Sequence, residues 1–209
     1  MPSLPHLALF ALAAFIMNAE PGPSNLYVLS RSLAQGPSAG LVSAVGLAMG
    51  NLFHVALAVM GLAALLRYAP GLYDAIRLLG AGYLVYLGIR MVRERPAATA
   101  TVSPRRPLAR VLFDAALVEM LNPKTALFFL AFLPQFVEPA RGPAALQFLL
   151  LGLIVTATAL PCDMLVAVAG AGLARAFKGA AERLWPRRLA GSTLIGLGVY
   201  AALARRLQT

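Results

Sequence analysis

The chain has 209 residues, 60% of them hydrophobic, with 18 Lys and Arg against 8 Asp and Glu and a net charge of +10. Soluble chains run at about 45–50% apolar and about 25% charged, so 12% charged residues and a mean hydropathy of +0.77 exclude both a soluble globular domain and a disordered one. The basic balance invites a nucleic-acid reading, but too few polar residues remain to build a solvated basic face, and a single cysteine, Cys162, excludes an internal disulfide, a CxxC pair and a zinc cage of several thiolates.

A membrane-spanning helix needs about 20 mostly apolar residues. Six such segments occur, at about 4–29, 40–66, 72–92, 111–137, 144–174 and 189–204. The first is read as a retained span rather than a signal peptide, because no Lys or Arg lies between Met1 and Asn18. It ends on Glu20-Pro21-Gly22-Pro23-Ser24-Asn25. Each proline lacks an N–H and disfavours the hydrogen bond to the carbonyl four residues back, so Met17 and Ala19 lose their helical partners. Gly22 lets the chain turn, and a new helix starts near Ser24 and Asn25. Such an N-terminus suits a carboxylate, while the freed carbonyls suit a cation, so a zwitterion is a natural ligand.

The second segment carries no formal charge from Gly40 to Leu66. Asn51 and His54 share one face of it at i and i+3. His54 reads as a hydrogen-bonded packing residue, with proton carriage as the less favoured use. Gly40, Gly46, Gly50, Gly61, Gly80, Gly82 and Gly88 in the second and third segments suggest close helix packing. A basic linker follows at 93–110, with Pro96, Pro104 and Pro107. It divides the chain into halves of about 1–92 and 111–209, one membrane domain in all.

In the fourth segment, Pro123 frees the carbonyl of Glu119, Asn122 supplies both donor and acceptor, and Lys124 lies near the middle. An ionisable residue there costs about 2.5–3.5 kcal/mol even on insertion scales, so a functional role is the default. Lys124 suits a substrate carboxylate, or an ion pair with Glu20, Glu119 or Asp163, or it snorkels to an interface. Asp114, at the start of the segment, reads as interfacial and structural. In the fifth segment Asp163 is the lone charge between Ala144 and Ala174; it suits a substrate ammonium or a proton relay, and Pro161 nearby predicts a tilt or a break.

Orientation follows from Lys and Arg in the connections. With the N-terminus outside, twelve loop cations face inward, among them Arg31, Arg105, Arg106, Arg110 and Lys178, and five face outward. The chain is therefore expected to lie N-out and C-out. Two halves with an odd number of spans must be inverted. Leu84–Ile89 against Leu194–Val199, and the two proline breaks, support an inverted three-helix repeat, whose interrupted helices point to a transporter's binding site. No Gly-x-Ser-x-Gly elbow or His-Glu-x-x-His occurs, which argues against an enzyme. With one Cys, two His and seven Met, a soft-metal site is poorly supplied. No metal or cofactor is expected, although a cation or metal-ion exporter or channel of similar fold stands as the alternative.

Two blocks carry a resemblance to a known family. One runs from Pro21 to Leu33 and on through Gln35-Gly36 and Ala39-Gly40-Leu41 to Gly46; the other is Leu121-Asn122-Pro123-Lys124-Thr125 continuing to Phe136. Together they resemble the lysine exporter / threonine–homoserine exporter (LysE/RhtB) family of bacterial amino-acid exporters. The resemblance implies a small inner-membrane carrier that expels amino acids or close derivatives by alternating access, driven by the proton-motive force and working as a homodimer among membrane lipid, with no nucleic-acid partner. The Pro-Gly-Pro and Asn-Pro-Lys positions are then substrate-path residues. Glu20, Glu119 and Asp163 are candidates for proton coupling or for holding the substrate ammonium. Glu20, Asp114 and Glu119 depart from the family pattern toward acidity, which favours a cationic or polar amino acid.

Overall fold

A computed structural model describes residues 2–20, 22–69 and 105–180, the last ten without their side chains, together with scattered helical positions between 71 and 93 and between 192 and 199. Pro21, the central loop as far as 104, Gly80, Gly88, most of the third and sixth segments and the paired stretches Leu84–Ile89 and Leu194–Val199 lie largely outside the described residues. Among the described residues every regular element is helical.

The first segment is two helices. α1 spans Leu4–Ala19 and α2 spans Pro23–Gln35, bent by 50° at the Pro-Gly-Pro run. Proline at the first position of α2 sacrifices no hydrogen bond, because that N–H has no helical partner anyway. α2 runs six residues beyond the expected end at 29, and Arg31 is thereby a buried helical residue rather than a loop cation. Its guanidinium sits 5.4 Å from the Tyr27 ring centroid and donates to Gln35 Oε1 at 3.3 Å. The turn that ends α2 needs φ +91° at Gly36, in the left-handed region that glycine adopts at no steric cost.

The second segment is α3, Pro37–Leu57, which continues through a π-helical turn at Ala58–Leu62 into α4, Ala63–Tyr68. The fourth divides into α5, Leu108–Met120, and α6, Pro123–Ala131, bent by 46° and followed by a 3₁₀ turn at Leu133–Phe136. The fifth, α7, is continuous over Ala144–Ala180 with Pro161 inside it, so the expected break at Pro161 does not form. A single proline frees few backbone groups, and a long membrane helix tolerates that.

Among the described residues, two helical stretches, Pro37–Tyr68 and Ala144–Gly170, are long and apolar enough to cross a membrane, and each bent pair adds one more if counted as a span. Exposed large side chains such as Leu12, Phe15, Met49, Phe53, Leu149 and Leu153 form the outer apolar surface that lipid would cover. Inside, α3 packs on α5 and α7, α2 on α3 and α1 on α7. One end of the bundle holds a dense core in which Phe10, Phe128, Phe132 and Phe136 interlock, with ring centroids 4.7 to 6.1 Å apart. The other end has a thinner cluster of Val28, Leu47, Ala115 and Ala167. Between them the helices part around polar residues.

Candidate functional site

One cleft gathers the residues that the sequence singled out. Gly22, Ser24, Asn25, Glu119, Asn122, Lys124 and Asp163 all line it, with Asn18, Asn51 and Thr125. The rest of the wall is aliphatic, from Met17, Leu47, Ala48, Ala159 and Leu160. Both helix breaks therefore open onto the same space, faced by the middle of α7. Glu20 borders it through its ion pair with Lys124.

The helix start at each break is treated differently. At α6, Asn122 is the N-cap, and its side-chain oxygen accepts from the Lys124 backbone N–H at 3.0 Å. Capping of this kind satisfies one of the free donors at a helix start. At α2 the N-cap is Gly22, which has no side chain to offer. Ser24 and Asn25, in the first turn of α2, line the cleft, so the free N–H groups and positive dipole end of α2 remain available to an anion.

Glu119 sits at 5% exposure, and its carboxylate is surrounded by donors. Thr125 Oγ1 donates to Oε1 at 2.7 Å, Asn122 Nδ2 donates to Oε2 at 3.3 Å, and Ser24 Oγ also donates to Oε2. Asn122 Nδ2 further donates to Ser24 Oγ at 2.9 Å. Three donors on one carboxylate match an ionised, acceptor-only group. They tie the start of α2 to the end of α5. The backbone carbonyl of Glu119, which Pro123 deprives of its helical donor, meets His54 Nε2 at 3.0 Å and the Asn122 N–H at 3.0 Å. A carbonyl only accepts, so Nε2 carries the proton in that contact, and the packing reading of His54 describes its place well.

Lys124 answers the same need at the first break. Its Nζ donates to the carbonyl of Met17 at 2.7 Å and that of Glu20 at 3.2 Å, and it lies 3.4 Å from Glu20 Oε2. Met17 is the residue whose carbonyl Pro21 strips of a donor by its sequence position. Asn25 Nδ2 donates to the Asn18 carbonyl at 3.3 Å, and Asn18 Nδ2 reaches α7 at Thr158 Oγ1, 3.0 Å away. Asp114, in the middle of α5, is paired with Arg106 at 2.6 Å and with Arg110 at 2.9 Å, contacts of a structural kind.

Asp163 stands apart. It is 7% exposed and lines the cleft, yet among the described residues no hydrogen bond or ion pair reaches its carboxylate. A buried charge is normally paired, so this group has capacity for a ligand. Sequence reasoning missed Asn18 and Thr125 as parts of the network. Thr125 could have been found from its place beside Asn-Pro-Lys. Asn18 carried a weaker signal, a polar residue closing the apolar run before the first break.

The chain matches the LysE type translocator model over residues 15–205. It is 33% identical to an uncharacterized membrane protein of Pseudomonas aeruginosa, over 93% of this chain and 94% of the relative. It is 28% identical to a leucine efflux protein of Salmonella typhimurium, over 96% and 93%. A membrane protein of Bacillus subtilis is 27% identical over 95% and 98%. No solved structure matches. Apolar helices with two breaks around a shared polar cleft, together with this family match, place the chain among membrane translocators. The chain belongs to the LysE type translocator family.

Proposed function

We propose that this protein exports amino acids or close derivatives from the bacterial cytoplasm across the inner membrane, by alternating access driven by the proton-motive force. The observation that carries this reading is the buried, unpaired Asp163 carboxylate facing the same cleft as the uncapped start of α2. The α-ammonium pairs with Asp163, and the α-carboxylate lies on the first turn of α2. The side chain lies along Leu47, Ala48, Ala159 and Leu160. That wall favours an aliphatic neutral substrate of the leucine kind over a cationic one, in keeping with the relatives named as leucine efflux proteins.

Asp163 is also the proton carrier in this scheme. Glu119 already accepts three hydrogen bonds and Glu20 is paired with Lys124, whereas the Asp163 carboxylate stands open to the cleft. A proton and an ammonium then compete for one carboxylate, which couples inward proton movement to outward substrate movement. A ligand shifts the inward–outward equilibrium only through differential affinity for the two states.

The whole chain has six spans in two inverted halves, N-out and C-out, and works as a homodimer. Support for the inverted halves comes from a reciprocal exchange. Pro23 and Pro123 each open the second half of a broken segment. The residue after each, Ser24 or Lys124, reaches the acidic residue before the opposite break, Glu119 or Glu20. The test is efflux from cells loaded with each amino acid in turn as a dipeptide. The reading expects an aliphatic amino acid to leave faster with the wild-type protein than with Asp163→Asn. Equal efflux for every compound would remove it.

A further inference from the structure

Every N–H of the Lys124 ammonium is already committed. An ammonium has three donors, and three acceptors surround Nζ: the carbonyls of Met17 and Glu20 and the carboxylate of Glu20, at 2.7, 3.2 and 3.4 Å. All three belong to the last turn of α1 or the residue that follows it. Unwound backbone carbonyls beside a carboxylate are the donor set with which broken transporter helices hold a coupling cation. Two carbonyls and one carboxylate carry a single negative charge, which matches a monovalent ion such as Na⁺ or an ammonium. Here the place is taken by a side chain arriving from the other broken segment, 104 residues further along the chain.

We propose that the break in the first segment is a monovalent-cation site permanently filled by the tethered ammonium of Lys124, so that the protein binds no free cation there. The inference rests on reading this cleft as the transport site. It assigns Lys124 a positioning role, holding the cut end of α1 beside the uncapped start of α2, rather than direct contact with the substrate carboxylate. Lys124 lies against Gly22, whose added Cβ would stand 3.5 Å from both Lys124 Cδ and Nζ. Removing the lysine side chain therefore leaves a space next to the chain turn, lined by two carbonyls and a carboxylate with no counter-charge.

The test is thermal unfolding of the purified protein, which needs no knowledge of the exported compound and so fails or succeeds independently of the export reading. Lys124→Ala is expected to melt below the wild type in tetramethylammonium chloride, an ion too large for the space. Added Na⁺ or ethylammonium at the same ionic strength restores it saturably, by about 5–10 °C at a hundredfold excess over Kd. Wild-type protein does not respond, and Glu20→Gln combined with Lys124→Ala abolishes the response. A Lys124→Ala protein indifferent to all three cations, or a wild type that responds equally, would overturn the proposal. Should Lys124→Ala not be recovered in any of these salts, Lys124→Met decides: it fills the space without charge and is expected to melt well below the wild type, and wild-type melting would contradict the inference.

Discussion

Three donors converge on the Glu119 carboxylate, and that fixes what a single amide substitution does. In Glu119→Gln one oxygen becomes an NH₂ group that faces a hydroxyl or amide donor in a site of 5% exposure. A buried donor left unsatisfied costs about 1–3 kcal/mol, so Glu119→Gln is expected to lower the melting temperature as well as export. Asp163→Asn removes no contact among the described residues and is expected to fold with wild-type stability while losing export. Measuring both properties in both variants separates a structural carboxylate from a working one. His54→Leu belongs with Glu119: it removes one of the two donors on the Glu119 carbonyl and leaves the Asn122 N–H in place, so it is expected to cost about 0.5–1.5 kcal/mol. Its residual export should keep the wild-type dependence on the pH gradient, and a changed dependence would make His54 a proton carrier instead.

Much of the site could be read before any fold was known. Pro21, Pro23 and Pro123 each imply a carbonyl without a donor, and the chemistry of those carbonyls follows from proline alone. What fills them could not be read. Met17 and Lys124 are 107 residues apart, and His54 and Glu119 are 65 apart; only the packing of α3 on α5 and of the two breaks on each other brings these partners together. The cation expected at the freed carbonyls proved to be the protein's own lysine. Asp163 was legible because composition makes a lone acid in an apolar run conspicuous.

At the scale of elements, the close approach of α3 and α5 sets the position of Glu119. A Cβ on Gly50 would stand 2.5 Å from the Ala116 carbonyl oxygen and 2.7 Å from Glu119 Cβ, and one on Gly46 would stand 2.3 Å from the Leu112 carbonyl oxygen. The two carbonyl oxygens are helix backbone, and a Cβ is fixed to its helix, so none of these atoms can swing away. Gly50→Ala is expected to destabilise by about 1–3 kcal/mol through overpacking and to reduce export by displacing Glu119. Gly61→Ala meets nothing within 4 Å among the described residues and is expected to leave stability within about 0.5 kcal/mol of the wild type and export unchanged. Thermal unfolding of the pair checks whether these glycines matter through contact or merely through composition. Sequence spacing suggested packing for both positions, because small residues at helical intervals look alike whether they face a helix or lipid. Pro161 shows the same limit: its local rule predicts a tilt or a break, and α7 runs through it unbroken.

At the scale of the molecule, the charge distribution predicts the topology. With Cys162→Ala as background, Ser3→Cys and Thr209→Cys are expected to react with a membrane-impermeant thiol reagent added to intact cells. Thr101→Cys should react only after permeabilisation. Reaction of Thr101→Cys in intact cells would reverse the orientation drawn from the loop cations. The +10 net charge then speaks of orientation, and the informative charges are the few that lie in or beside the breaks. In the proposed transport cycle, substrate and proton meet at Asp163. In proteoliposomes containing the purified protein, counterflow of radiolabelled leucine should be saturable and accelerated by an imposed pH gradient, and Asp163→Asn of normal stability should lose that acceleration. Leucine movement that responds to the gradient equally in wild type and Asp163→Asn would contradict it.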